Sequence, residues 1–509
     1  MQLPEVTRRT VLGAGTAALA LPTLAACQKS NLPGSDPDAE RTLVVGASDE
    51  PQTMDLTANA QAAIPQVLLY NVYETMVRID SEGKLRPLLA TAWTISEDRK
   101  TYRFTLNEHA KFASGTKLEA DAVVKSLELF RKEGVGNKAQ AAKMSVIESV
   151  KAEDPRTVVI TLKRPSMLWL YDLAGTSGVV IDPAGMSTLA DRPMGSGPFV
   201  FDSHQRGSSV TLKRNSEYWG TPTRIDEVTF RYFTDANAMN GAMLAGDLDI
   251  ISDLTAPESL DQFTDTSRFT VIEGTTNGEV VLGMNHKNAA LGKKQVRQAI
   301  CHAIDRQALV DSVWGGKGTM IGSMVPPSDP WYEDLSKTYP FDPAKARELL
   351  KEAGHATGLK LNFRVPALPY GPGVGKFVAS QLKDVGIDVR VEDIDFNTWI
   401  NEVFVGGKYD LTVVAHVEPR DIVSWTNKDY YWHYDNPEFN RLIAEADSSD
   451  EATGIEKMKQ AARILAEDAA ADFLWLFPRL CITKASVQGI PTNSTSVSFD
   501  LTGATVRSS

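Results

Sequence analysis

The chain has 509 residues, of which 42% are hydrophobic and 23% charged, and a formal net charge of −12. That length suits about two to four domains, and the composition excludes collagen-like, wholly disordered and polytopic membrane chains. The acidic balance argues against nucleic acid as a partner. Three cysteines cannot build a disulfide scaffold, and seven scattered histidines show no close pair at metal-ligand spacing.

The first predicted element is an export signal. Arg8 and Arg9 precede a weakly apolar run over 11–21, which leads to Leu24-Ala25-Ala26-Cys27. A basic region, a short apolar run and small residues before a cut describe a secretory signal peptide. The run is shorter than the ~20 apolar residues of a membrane-spanning helix. The twin arginines match the Tat route, although such pairs also occur in Sec signals. Leu-Ala-Ala-Cys resembles a bacterial lipobox. That resemblance implies loss of residues 1–26 and acylation of Cys27, which would anchor the protein by lipid to the outer face of the bacterial cell membrane or hold it in the periplasm. Residues 27–41, with Pro33, Gly34 and Pro37, form a polar tether. Cys301 and Cys481 are then two buried free thiols, or a disulfide with each other.

Residues 42–47 are β-rich and end in a polar turn, which predicts the first strand. Residues 63–77 carry apolar side chains at helical spacing. Residues 101–106 alternate, with Tyr102, Phe104 and Leu106 on one face of a half-buried strand. A helix over 121–130 and a strand over 157–162 follow. Residues 200–201 and 210–212 pair as a hairpin, next to a strand over 228–233. A helix over 236–245 stops at Gly246. One long helix is predicted over 295–313, ending at Gly315-Gly316. Asp342-Pro343 supplies the cap and first turn of a helix that stops at Gly354. Further on come a strand over 359–364, a helix over 374–385, and strands over 387–391 and 411–414. A helix over 454–471 precedes separate strands at 474–477 and 481–483. Helices and strands alternate in mixed order, which defines an α/β protein with more than one sheet. No repeat of 20–50 residues is present.

The chain contains no G-x-S-x-G elbow, no P-loop, no G-x-G-x-x-G after a strand and no H-E-x-x-H. Gly195-Ser196-Gly197 lacks the elbow spacing, and Pro198 disfavours a helix directly after it. The glycine-rich residues 371–375 are not followed by Lys-Ser or Lys-Thr and read as a loop. Cys301 and His302 are helix neighbours about 100° apart, so they form no catalytic pair by themselves. No catalytic residue, metal ligand or cofactor is assigned.

Several stretches, taken in order, resemble one family. They are Leu85-Arg86-Pro87-Leu88-Leu89-Ala90-Thr91-Ala92-Trp93, then Asp98, Tyr102-Arg103-Phe104, Lys111-Phe112 and Leu118-Glu119-Ala120-Asp121. Gly195-Ser196-Gly197-Pro198-Phe199, Arg214-Asn215 with Tyr218-Trp219, and Gly246-Asp247-Leu248-Asp249 follow. Val296-Arg297-Gln298-Ala299, Asp342-Pro343 and Tyr434-Asp435-Asn436-Pro437 complete the series. The order resembles the family 5 extracytoplasmic solute-binding proteins, the peptide/nickel/opine-binding subunits of ABC importers, over residues 42–485. The resemblance implies a type 2 periplasmic-binding-protein fold with two lobes and an extra inserted domain. Domain I would comprise 42–75, 190–283 and 481–509, domain II 76–189, and domain III 284–480. The implied function is a non-enzymatic monomer that captures a small organic solute, a peptide or peptide-like ligand, by lobe closure. It would deliver that ligand to an ABC permease driven by ATPase subunits. The alternatives on this scaffold are a secreted hydrolase, a surface sensor or chaperone, and a nickel-chelate receptor.

Peptide-binding members of the family hold the ligand's α-amine with a carboxylate in a loop after a domain III strand. The matching loop here is Ala415-His416-Val417-Glu418-Pro419-Arg420-Asp421, which departs from the family's Gly-Trp-x-x-Asp. Glu418, and after it Asp421, are the expected anchors. Arg420 would pair a ligand carboxylate or its acidic neighbours, and His416 is the histidine of this loop. Trp399, Trp425, Tyr430, Tyr431 and Trp432 supply aromatic surface to a pocket or to the core. Asn285, at the crossover from domain I to domain III, and Asn59, after the first strand, are expected to face the cleft.

Overall fold

Two sheets of different character organise the chain. The structure is a computed structural model that describes residues 41–58, 61–132, 138–356 and 358–507. The signal segment, Cys27, the tether up to residue 40 and Asn59 lie outside the described residues. The main strands in chain order are β1 (Thr42–Ala47), β2 (Ala90–Ile95), β3 (Thr101–Leu106), β4 (Ile147–Asp154), β5 (Thr157–Leu162), β6 (Phe199–Gln205), β7 (Ser209–Arg214) and β8 (Glu227–Tyr232). They continue as β9 (Ile250–Ile251), β10 (Phe269–Met284), β11 (Leu359–Pro366), β12 (Ile387–Ile394), β13 (Leu411–His416) and β14 (Asp472–Lys484).

The ten-stranded sheet has the order β6-β7-β8-β1-β9-β14-β10-β13-β11-β12, and the four-stranded sheet the order β2-β3-β5-β4. In one half of the large sheet β1 runs parallel to β8 and β9. In the other half β11 runs parallel to β12 and β13. The antiparallel ribbon of β10 and β14 runs through both halves, with Phe269 opposite Lys484 at one end and Leu282 opposite Asp472 at the other. Its register shifts between Thr275 and Glu279, and such irregularities bend a ribbon. Parallel halves with their carboxyl edges open to loops are where α/β sheets hold ligands.

The small sheet buries Tyr102, Phe104 and Leu106, the alternation seen in the sequence, against Trp169 and Phe112. One half of the large sheet is filled by Leu43, Val45, Phe199, Phe230, Cys481 and Phe499. The other half has an aliphatic face that includes Cys301 and an aromatic one with Trp331, Trp399, Trp425, Tyr431 and Trp432. Cys301 and Cys481 are free thiols in different cores, so the disulfide alternative falls. No helix among the described residues is long and apolar enough to cross a membrane.

Several elements differ from expectation: β10 has no predicted counterpart, and the glycine-rich residues 371–375, expected as a loop, open the helix Gly371–Asp384 with Pro372 in its first turn. The helix predicted over 63–77 is only Ala63–Leu68. Tyr70 turns the chain with a φ of 64°, and the Asn71 amide donates to Val67 O and Phe499 O, tying the turn to the C-terminal segment. The helix predicted over 295–313 is two helices, Lys294–Ala303 and Arg306–Val313. Ile304 is extended, and Asp305 caps the second helix by accepting from Ala308 N. The two strands predicted at 474–477 and 481–483 are one continuous strand, β14. Gly195 and Gly197 are not in left-handed conformations. A Cβ at Gly195 would strike Val72 O, and one at Gly197 would strike Asn71 O, so close backbone approach, not torsional freedom, requires glycine there.

Candidate ligand cleft

His416 closes β13, and its partner across the ladder is Glu279 on β10. Glu279 therefore sits where the β10–β14 ribbon bends between the two halves. It is 0% exposed, and neither carboxylate oxygen has a hydrogen-bond partner. Burial pushes its pKa well above the usual carboxylate range, and the charges of Asp421 and Asp329 push it further. An isolated buried carboxylate is costly, so this position calls for a partner.

The loop after β13 turns its side chains back toward that position. His416 Nδ1 lies 2.7 Å from Asp421 Oδ2, and His416 Nε2 lies 2.9 Å from the Tyr431 hydroxyl. Carboxylate and phenol thus fix both ring nitrogens. Arg420 adopts a φ of 60°, a left-handed conformation that costs a non-glycine residue about 1 kcal/mol. Its guanidinium lies 3.2 Å from the centroid of the Tyr171 ring and 5.2 Å from that of Trp331. It is 3.8 Å from Asp329, with Nε and Nη2 left without hydrogen bonds. Burial raises Asp329 to about 6 against the opposing pull of Arg420. Its Oδ2 is also unpartnered.

Glu418 points the other way. Its Oε2 meets Lys143 Nζ at 2.6 Å, and its side chain is half-exposed. Lys143 ends the helix Lys138–Lys143, and Tyr171 and Asp172 belong to the helix Trp169–Ala174; both helices flank the small sheet. Burial alone would lower the Lys143 ammonium, but Glu418 and Asp172 outweigh it and raise it. Asp172 is pushed to about 7, first by burial, with Lys143 opposing. In the half of the sheet that holds β1, Asp253 follows β9. It keeps accessible surface, yet desolvation lifts it to about 6, with Arg479 lowering it and Asp49 raising it. Accessible surface combined with strong desolvation is expected of a side chain lining an enclosed cleft.

Aromatic side chains floor this region. Trp425 and Trp432 stack at 3.8 Å and 7°. The indole nitrogens of Trp331, Trp425 and Trp432 are buried without partners. Tyr430 is half-buried against Trp432 at 4.6 Å, and Tyr431 is buried. Among the residues predicted from sequence, the structure brings His416, Arg420, Asp421, Tyr430 and Tyr431 together, with Glu418 at the rim and Trp425 behind. Two others stand apart. Trp399 donates to Thr412 Oγ1 and supports Tyr431 from the core. Asn285 lies beyond the far end of β10 from Glu279, where its amide donates to Gly407 O and Tyr409 O and its Oδ1 accepts from Lys287 N. These bonds lock a turn. Glu279, Asp329, Lys143, Tyr171 and Asp172, which the structure sets beside this loop, are not among the residues expected from sequence. Glu279 alone left a signal, as a lone carboxylate opening the apolar run Val280-Val281-Leu282.

Among the described residues no group of three His, Cys, Asp or Glu side chains is placed to hold a metal ion. Two surface pockets, one lined by Glu50, His204 and Arg206 and the other by Met243, Arg268 and Lys484, involve none of these cleft residues.

The fold and the cleft together define a solute-binding protein. Residues 84–418 match the bacterial extracellular solute-binding proteins, family 5 middle region, and the chain belongs to that family. It is 30% identical over 368 residues to the glutathione-binding protein GsiB of Escherichia coli (strain K12), covering 70% of each chain. It is 26% identical over 465 residues to the probable D,D-dipeptide-binding periplasmic protein DdpA of the same strain, covering 86% of this chain and 88% of that one. Among solved structures, NikA from Brucella suis in complex with Fe(III)-EDTA superposes with a TM-score of 0.82 at 21% identity, over 92% of this chain and 100% of that one. DppA from Helicobacter pylori in complex with the peptide STSA gives 0.79 at 21% identity, over 91% and 98%. These likenesses place the chain in the type 2 periplasmic-binding-protein fold expected from its motifs.

Proposed function

We propose that the protein is the substrate-binding component of an ABC importer and that its ligand is a peptide or peptide-like zwitterion held between the two lobes. The observation that carries this reading is the buried set of unsatisfied polar atoms on Glu279, Asp329 and Arg420. Native proteins pair buried polar groups, and here opposite charges wait for opposite ends of a ligand. Asp421, steadied by His416, is the anchor for the ligand amine, with Glu418 at the rim. Arg420 receives the ligand carboxylate through its free Nε and Nη2. The aromatic floor of Tyr430, Tyr431, Trp425 and Trp432 covers the apolar part of the ligand.

On this reading the division into 42–75, 190–283 and 481–509, 76–189, and 284–480 corresponds to domains I, II and III. Lys143–Glu418, Arg420 on Tyr171, and Asp447 with segment 164–168 are the contacts made on closure. Acylated Cys27 ties the receptor to the membrane beside a permease and its ATPase subunits. Relatives named for binding glutathione and D,D-dipeptides support a peptide-like ligand. The test is thermal-shift screening of the purified mature protein against short peptides, sugars and metal chelates. Peptides are expected to raise the Tm, and Asp421→Asn to weaken the best of them at least tenfold, or about 1.4 kcal/mol. A shift with sugars or chelates alone would overturn the reading.

A further inference from the structure

Acidic side chains around the bend of the β10–β14 ribbon outnumber basic ones, even with a zwitterion in place. Three carboxylates meet there: Glu279, Asp329 and Asp421. Arg420, turned toward Asp329 and onto the Tyr171 ring, and Lys143, paired with Glu418 and near Asp421, are the cations that the described residues bring to this loop. Asp421 has His416 at 2.7 Å and, on the reading above, a ligand amine. Glu279 is left. Both of its oxygens are unpartnered and fully buried, on a strand and not on a mobile loop.

We propose that Glu279 is a specificity-determining residue that selects ligands carrying a second cationic group, a primary amine or guanidinium on a ligand side chain, at the base of the cleft. This rests on the peptide reading and deepens it. The position suits the role because β10 pairs with both β13 and β14 there, so the carboxylate is held by the ladder. A preorganised acceptor loses little entropy when a cation arrives. Charge-assisted hydrogen bonds to a buried carboxylate are also among the strongest available. A ligand with a neutral side chain would leave the same carboxylate buried and unpaired, and discrimination built on that penalty is steep.

The test uses matched probes. Short peptides containing lysine or arginine are titrated against the same peptides with acetyl-lysine or citrulline, on the wild-type protein, Glu279→Gln and Glu279→Asp. The wild type is expected to bind its best cationic peptide about tenfold or more tighter than the neutral isostere. Glu279→Gln should shrink that gap to about threefold or less while still binding neutral peptides, and Glu279→Asp should keep part of it. The inference is overturned if wild type binds the neutral isosteres equally well, or if Glu279→Gln leaves the gap intact; the peptide reading survives either result. If no peptide binds, that reading itself fails and this inference fails with it. Circular dichroism and the unliganded melting curve of each variant separate loss of selectivity from loss of fold.

Discussion

Glu279 and Glu74 show two ways of burying a carboxylate. Glu74 is 1% exposed and accepts hydrogen bonds from Ser196, Tyr218 and Trp219, residues of the family motifs. Burial still lifts it to about 7. Asp172 is raised to about 7, and Asp253, Asp329 and Asp472 to about 6, in each case with burial as the largest cause. A carboxylate whose folded pKa is raised binds its proton more tightly in the folded state. Its stabilisation is fully present below the unfolded pKa and is lost as pH rises through the folded value. Between about pH 4 and pH 7 these groups act together, and the carboxylates lowered by salt bridges and turns titrate below that window. The ligand-free protein is therefore expected to melt at a lower temperature at pH 8 than at pH 5. Glu279→Gln should raise the Tm by several degrees at pH 8 and by less at pH 5. Calorimetry across that range checks both. A Tm that climbs steadily with pH, or a destabilised Glu279→Gln, would contradict this picture.

At the scale of elements, the sequence signals that worked were those with local causes. The alternation of β3, the Asp342-Pro343 cap and the left-handed glycines at 246, 354 and 386 all appear where the pattern put them. The misses have non-local causes. Polar Thr275, Thr276 and Asn277 interrupt the apolar pattern of β10, and that strand forms because β13 and β14 flank it. The break at Ile304 is invisible to helical spacing, because apolar periodicity continues across it while Asp305 starts a new cap. Asp305→Ala should cost about 1 kcal/mol in urea unfolding by removing that cap. A cost near zero would mean that the Arg306 contacts with Ile321 O and Phe473 O hold the second helix unaided. The loop 415–421 stands out in the sequence because the motif order points to it. Lys143 and Tyr171, which the structure sets beside it, left no such signal, because they come from separate segments that only the tertiary fold brings together.

In the whole molecule, lobe closure over the ligand depends on contacts between segments far apart in sequence. Asp447 ties the far sheet half to segment 164–168. It accepts from Ser166 Oγ, Leu168 N and Arg164, while its carbonyl accepts from Met167 N. Asp447→Ala is expected to favour the open form and to weaken peptide binding roughly three- to tenfold without changing which peptides bind, since its hydrogen bonds go to segment 164–168 and to none of the proposed ligand anchors. Competition titrations would show this. A change in peptide preference would instead place Asp447 in the cleft. The most direct test of the central claim is small-angle X-ray scattering of the mature protein with and without the tightest-binding peptide. The account predicts a smaller radius of gyration with ligand and a larger one for ligand-free Asp447→Ala. Identical scattering with and without saturating peptide would contradict a receptor that works by closing.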